Sequence, residues 1–153
     1  MAELVALFNK HTDDLKHDIE HGVARPGPTA TRRSRRVERL IVEPVMSRPH
    51  EGWPILNALV EGVDERPDGA MDFLGAFLVE DFVRAHGIEF LDLLAAAARE
   101  SPRWRRVLAY AYGWDDPRKV DQRVSDRLMP YITLHREATA PRHPTSVDIP
   151  HAD

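Results

Sequence analysis

The sequence predicts an all-α fold, a compact multi-helix bundle of about six helices built from helical hairpins. Apolar residues recur at three- and four-residue spacing along most of the chain, and the alternating pattern of strands is weak throughout. With 153 residues and 42% hydrophobic residues, the chain can form one domain with a packed core.

The first helix is predicted from the apolar spacing between Leu4 and Ile19, and Gly22 follows as its C-terminal stop. Residues 22–31 contain two prolines and two glycines, which break regular structure. This segment is therefore predicted to connect the first helix to the second.

The second helix is predicted to be kinked or to end near Pro44, because proline cannot donate the backbone hydrogen bond that a helix interior needs. Residues 47–52 are predicted to form a loop. Pro54 suits the first turn of a short third helix, which ends before a turn at 64–69.

The region 70–131 carries the clearest helical pattern. Its first helix is apolar over a wide arc, which favours a central position, and Gly87 ends it. A second helix from Ile88 runs closely into Ser101-Pro102, a capping serine with proline at the first position of the next helix, so the two are predicted to form a hairpin. Asp116-Pro117 is predicted to begin the final helix.

The domain organisation follows from where the helical pattern stops. Residues 1–134 are predicted to form a single helical domain. Residues 135–153 are predicted to form a flexible C-terminal tail, because Pro141, Pro144 and Pro150 interrupt any helix there.

Composition restricts the cellular setting and the chemistry. The chain has no cysteine, so disulfides and thiolate sites are excluded, and its start lacks the pattern of a secretory signal. No run approaches the ~20 apolar residues that cross a bilayer. These features predict a cytoplasmic protein that does not enter a membrane, and the net charge of −4 means that any nucleic-acid binding must come from a local patch.

A polar stripe on the first helix raises the question of a metal. Asp14, His17, Asp18 and His21 lie at i, i+3, i+4 and i+7, and carboxylates with imidazoles suit zinc, iron or manganese. Ligands from a second helix would be required and none can be assigned. A solvent-facing polar stripe is therefore preferred, and neither a metal nor a cofactor is predicted.

An arginine-rich segment spans residues 25–39. Its arginines, opposed by one nearby acid, Glu38, are Arg25, Arg32, Arg33, Arg35, Arg36 and Arg39. Guanidinium groups at this density suit an acidic protein face or phosphates. The absence of interleaved aromatic residues argues against single-strand stacking. Arg32, Arg33, Arg35, Arg36 and Arg39 are predicted to bind a partner.

The sequence supplies no complete catalytic set. Glu80, Asp81 and His86 are ingredients of acid–base catalysis, but a Glu80–Arg84 pair and a histidine interacting with the helix C-terminus explain them better. Phosphate-binding, serine-nucleophile and metalloprotease motifs are absent, and no catalytic residue is predicted. The three tryptophans are expected to pack in the core more than to anchor a partner.

Four segments between residues 50 and 114 resemble a family of small bacterial helical domains of unknown function. They are WPIL (53–56), LGAFLVEDF (74–82), HG (86–87) and SPRWRRVL (101–108). The resemblance implies a helical fold and no established activity.

The main functional hypothesis is a non-enzymatic protein-interaction domain of a bacterium or its phage, such as an inhibitor, an immunity-type protein or a complex subunit. Nucleic-acid binding through segment 25–39 is one alternative. A metal-dependent helical-bundle enzyme that uses the stripe from Asp14 to His21 is the other. No oligomeric state is predicted.

Overall fold

The computed structural model describes residues 1–22, 27–66, 69–111, 114, 116 and 118–140. The fold is all-α, as predicted. Its elements are α1 (Ala2–Glu20), α2 (Pro28–Val37), the π-helical turn π1 (Glu38–Val42), α3 (Glu43–Ser47), α4 (Pro49–Gly62), α5 (Ala70–Leu74), the π-helical turn π2 (Gly75–Val79), α6 (Glu80–His86), α7 (Leu91–Glu100), α8 (Pro102–Tyr110) and α9 (Gln122–Thr139). Because α2, π1 and α3 run on without a break, as do α5, π2 and α6, the described chain forms seven continuous helices.

The helix that runs through α5, π2 and α6 lies centrally, as its wide apolar arc predicts. Met71, Leu74, Val79 and Phe82 along it are completely buried. Its segments contact α1, α3 and α8, so neighbouring helices cover it from several sides. The core is therefore organised around this helix.

The predicted hairpin is formed by α7 and α8. Ser101 is the N-cap of α8: its hydroxyl oxygen accepts from the backbone N–H of Trp104 at 3.4 Å, and Pro102 occupies the first helical turn. Gly87 ends α6, as predicted, and its N–H donates to the carbonyl of Val83 at 2.9 Å. Local capping rules located these boundaries correctly.

Several boundaries differ from the predictions. The helix predicted from Ile88 begins at Leu91, as α7. The loop predicted at 47–52 is wrong, because α4 begins at Pro49 and Pro54 lies inside the helix. Either proline suits the first turn of a helix, and in the structure Pro49 occupies it. The final helix begins after Asp121, whose carboxylate accepts from the N–H of Arg123 at 2.9 Å, and not at Asp116.

Pro44 does not end the second helix. It has no N–H for the carbonyl of Leu40, and the chain accommodates this with π1, in which the N–H of Glu43 donates to the carbonyl of Glu38 five residues earlier. The helix then continues through Pro44 to Ser47. The proline thus changes the hydrogen-bond register and leaves the helix unbroken.

The predicted tail begins as helix, since α9 includes residues 135–139. Residues 141–153 lie outside the described part of the chain, so a flexible tail there stays a prediction.

Candidate interaction surface

Arg33 fixes the arginine-rich helix α2 on α1. It forms an ion pair with Asp14, and the side chains are 14% and 29% exposed. Both side chains are largely removed from water, so each charge compensates the desolvation of the other. Loss of either partner would leave an unpaired, partly buried charge. Arg33 was predicted to bind a partner, but the structure places it in contact with Asp14 inside the protein.

The other four predicted arginines form what we call the arginine stripe: Arg32, Arg35, Arg36 and Arg39. They lie at i, i+3, i+4 and i+7 along α2 and π1, so they share one face over about 10 Å of helix. All four are exposed. Among the described residues none of them has a hydrogen-bond or ion-pair partner, and Arg25 lies outside the described residues.

This lack of partners contrasts with most described arginines. The guanidinium groups that donate to carboxylates or carbonyls within the fold are those of Arg33, Arg48, Arg66, Arg84, Arg99, Arg103, Arg105, Arg106, Arg118 and Arg123. Outside the stripe, the described exceptions are Arg127 and Arg136 on α9. The stripe is therefore a local concentration of positive charge without ion-pair partners in the described part of the chain, and the net charge of the whole sequence is negative.

An open groove between α1 and α2 borders the stripe. It has a volume of about 430 Å³, and Arg36 lines it together with Glu3, Leu7 and Lys10. Lys10 adds a cation that the sequence alone did not connect with the arginines. The sequence does not show that Lys10 lies near Arg36, because the packing of α1 against α2 cannot be inferred from the pattern of either helix alone.

The polar stripe on α1 that could hold a metal, from Asp14 to His21, does not form a set of metal ligands. The carboxylate of Asp14 forms an ion pair with Arg33. The rings of His17 and His21 pack against each other, with 4.1 Å between centroids, and the Nδ1 atom of His21 lies 2.9 Å from the carbonyl of His17. Within the described ranges, no three histidine, aspartate or glutamate side chains lie close enough together to hold a metal ion.

The acidic and imidazole groups near the end of α6 have structural partners. Arg84 binds both Glu80 and Asp81, as the four-residue spacing predicts for Glu80. His86 approaches the carbonyl oxygen of Met46 with its Nε2 atom at 2.8 Å. A carbonyl can only accept, so Nε2 carries the proton and His86 ties α6 to α3.

The tryptophans belong mainly to the core. Trp104 and Trp114 are buried, and Trp53 is half-buried and stacks on Trp104 with 5.2 Å between ring centroids. Their packing agrees with the expectation that they pack mainly in the core.

His11 is a site residue that the sequence did not reveal. It lies on the inner face of α1, is only 9% exposed, and has no hydrogen-bond partner in the described structure. Burial lowers the pKa of His11, and the nearby Arg33 lowers it further. In sequence it appeared only as one member of the apolar spacing of the first helix.

This histidine makes stability dependent on pH. The folded state favours the neutral form of His11. The stabilisation that His11 contributes to the folded state is therefore complete above the unfolded pKa of 6.5, and it is lost as the pH falls from 6.5 towards the lower pKa of the folded state. His135 acts in the same direction, since burial first and then Arg106 and Arg105 lower its pKa. Urea unfolding between about pH 5.5 and 7.5 should show stability falling with acidity. The double variant H11Q/H135Q should flatten this dependence, and a wild-type protein that gained stability towards acid pH would contradict the expectation.

No family model, no curated protein and no solved structure matches the chain. The resemblance of residues 50–114 to bacterial helical domains therefore stays a prediction. None of the helices in the described ranges is both long enough and apolar enough to span a membrane.

Proposed function

We propose that this protein is a non-enzymatic, cytoplasmic protein-interaction domain that binds an acidic segment of another protein through the arginine stripe. The observation that carries the proposal is the set of four exposed guanidinium groups on one helical face without partners in the described structure. Guanidinium binds carboxylate through two parallel hydrogen bonds, which gives orientation as well as attraction. An inhibitor, an immunity-type protein or a complex subunit of a bacterium or phage would use such a surface.

The surroundings of the stripe favour a protein partner over nucleic acid. The chain carries a net charge of −4, so a phosphate backbone would be repelled outside the stripe. Glu3 shares the groove with Arg36, and the exposed Glu38 precedes Arg39. A protein segment can present carboxylates to the stripe and other side chains to these acids, whereas a nucleic-acid strand carries phosphates along its whole length.

The decisive experiment compares two charge-reversal variants. R35E/R36E removes the middle of the stripe, and R127E/R136E makes the same change in charge at two exposed, unpaired arginines on α9. We expect R35E/R36E to weaken binding of an acidic helical peptide, with glutamates at i, i+3, i+4 and i+7, by at least about tenfold. R127E/R136E should bind that peptide like the wild type. Circular dichroism checks that both variants are folded.

The same variants test a natural partner. After affinity purification from nuclease-treated native lysate, one near-stoichiometric protein should be retained by the wild type and R127E/R136E and lost by R35E/R36E. Equal retention by both variants would contradict a role for the stripe.

The nucleic-acid alternative rests on the same four arginines and has its own signature. Duplex DNA bound by four phosphate contacts would lose affinity with salt at a logarithmic slope of about −3.6. DNA binding stronger than peptide binding, with that slope and with loss in R35E/R36E, would replace the proposal. A catalytic turnover abolished by one point substitution would likewise overturn the non-enzymatic assignment.

A further inference from the structure

A small pocket lies between the two π-helical turns, on the side of α2 that carries Ser34 and Val37. It has a volume of about 200 Å³, and α1, α2, π1, α5, π2 and the start of α6 line it. This volume is below that of sites for drug-sized molecules and suits a small ligand or a single side chain. π-helical turns occur frequently at functional sites, because they interrupt the regular helical register.

Three phenylalanines form the apolar wall of the pocket. Phe8 and Phe73 have 6.2 Å between ring centroids, and Phe73 and Phe77 have 4.4 Å. Phe77 is 55% exposed although it is large and apolar, so part of this wall faces solvent. The faces of aromatic rings carry partial negative charge and attract cations.

Two carboxylates, one imidazole and the hydroxyl of Ser34 supply the polar lining. Glu38 has no ion-pair partner among the described residues, and Asp81 lies 3.2 Å from the guanidinium of Arg84. His11 is more than nine-tenths buried and lines the same pocket without a hydrogen-bond partner in the described structure. No fully buried side-chain nitrogen or oxygen of the described residues lacks a partner, so the ring nitrogens of His11 keep access to solvent, and a ligand in the pocket can reach them.

The charges around His11 select the sign of that ligand. Glu38 on π1 and Asp81 on α6 are the carboxylates that line the pocket, and only Asp81 has an ion-pair partner, Arg84, among the described residues. Arg33, which pairs with Asp14, lies near His11 but does not line the pocket. Burial lowers the pKa of His11, so at neutral pH the imidazole is uncharged and can accept a hydrogen bond. An ammonium group donates hydrogen bonds, pairs with carboxylates and is attracted to ring faces.

We propose that this pocket binds an alkylammonium group, with its chain along the phenylalanine wall and its nitrogen among His11, Glu38 and Asp81. The group can come from a free primary amine or from a lysine side chain of another protein. The site uses none of the four arginines of the stripe, although Glu38 borders both surfaces, and it does not depend on the function of the stripe.

The first test is a titration of the wild-type protein with n-butylamine at neutral pH, followed by NMR. We expect saturable shifts of the His11 ring resonances and of backbone amides in π1 and π2. The neutral isostere n-butanol should produce weaker binding by about three- to fivefold or more. Equal binding of the alcohol would overturn the proposal, since the charge would then contribute nothing.

Two variants test whether the carboxylates of Glu38 and Asp81 bind the ammonium group. E38Q and D81N should each weaken butylamine binding by about three- to fivefold, because each removes one carboxylate from a partly exposed site. E43Q is the matched control, as Glu43 is an exposed glutamate at the start of α3 that does not line the pocket. Equal effects of E38Q and E43Q would show general charge attraction and overturn the site. All three changes are at surface positions, so the fold is retained.

A final comparison distinguishes a free primary amine from a lysine side chain as the source of the ammonium group. Butylamine is compared with Nα-acetyl-lysine N-methylamide, which carries the same ammonium on a peptide backbone. Tighter binding of the lysine derivative assigns the pocket to a protein side chain, and tighter binding of butylamine assigns it to a free amine. Failure of both to bind would overturn the proposal, and the peptide-binding results for the arginine stripe would be unaffected.

Discussion

Replacing Trp104 with alanine should lower the free energy of unfolding by about 3–5 kcal/mol, the range for truncating a large buried aromatic side chain. Trp104 is 1% exposed, stacks on Trp53 and donates from Nε1 to the side-chain oxygen of Asn57 at 2.8 Å. The substitution removes the packing of the ring, leaves a cavity and leaves Asn57 without its donor. Because domains of this size are typically stable by only 5–15 kcal/mol, the loss is a large share of the total.

The measurement is urea unfolding followed by far-UV circular dichroism, which does not depend on tryptophan fluorescence. W104F is the matched variant: it keeps an aromatic ring beside Trp53 and loses the hydrogen bond to Asn57. It should cost clearly less than W104A, about 1–3 kcal/mol. A W104A protein with nearly wild-type stability, or one less affected than W104F, would show that this ring is not central to the core.

Helix boundaries were predictable where the signal is local. Ser101 and Pro102 occupy adjacent positions, and the cap that they form needs no distant residue. The same holds for Gly87 at the end of α6. The choice between Pro49 and Pro54 as a helix start was not local, because either proline suits a first turn and the packing of α3 against α4 decides between them.

The candidate site was predictable only as a set of residue types. The spacing of the arginines indicated a charged helix face, and four of the five chosen residues lie on it. Arg33 differs because Asp14, nineteen positions earlier, lies opposite it once α1 and α2 pack together. The pocket around His11 was missed for the same reason: its residues come from α1, α2, π1, α5, π2 and α6, and no short pattern connects them.

The tight packing of α3 against α4 leads to the second large effect, in Gly52→Ala. Gly52 is buried in α4, and a Cβ atom there would meet the Cα atom of Val45 and would lie 2.6 Å from the carbonyl oxygen of Pro44 and 2.7 Å from the backbone nitrogen of Val45. These atoms belong to the backbone of α3 and cannot rotate away. Because one residue, Arg48, joins the two helices, α3 can separate from α4 only by disturbing the buried Val45.

Alanine is a better helix former than glycine by about 1 kcal/mol, so the two effects oppose each other at Gly52. Overpacking costs about 1–3 kcal/mol when side chains can adjust, and the upper end applies where the obstacle is backbone. We therefore expect the free energy of unfolding, measured in urea, to fall by about 2 kcal/mol.

Gly62→Ala in the same helix is the control. Its added Cβ meets only the methyl groups of Val5, at 3.0 and 3.2 Å, which a side-chain rotation can move. Gly62→Ala should change stability by less than about 1 kcal/mol, so equal losses in both variants would mean that the close approach of α3 and α4 does not limit this position.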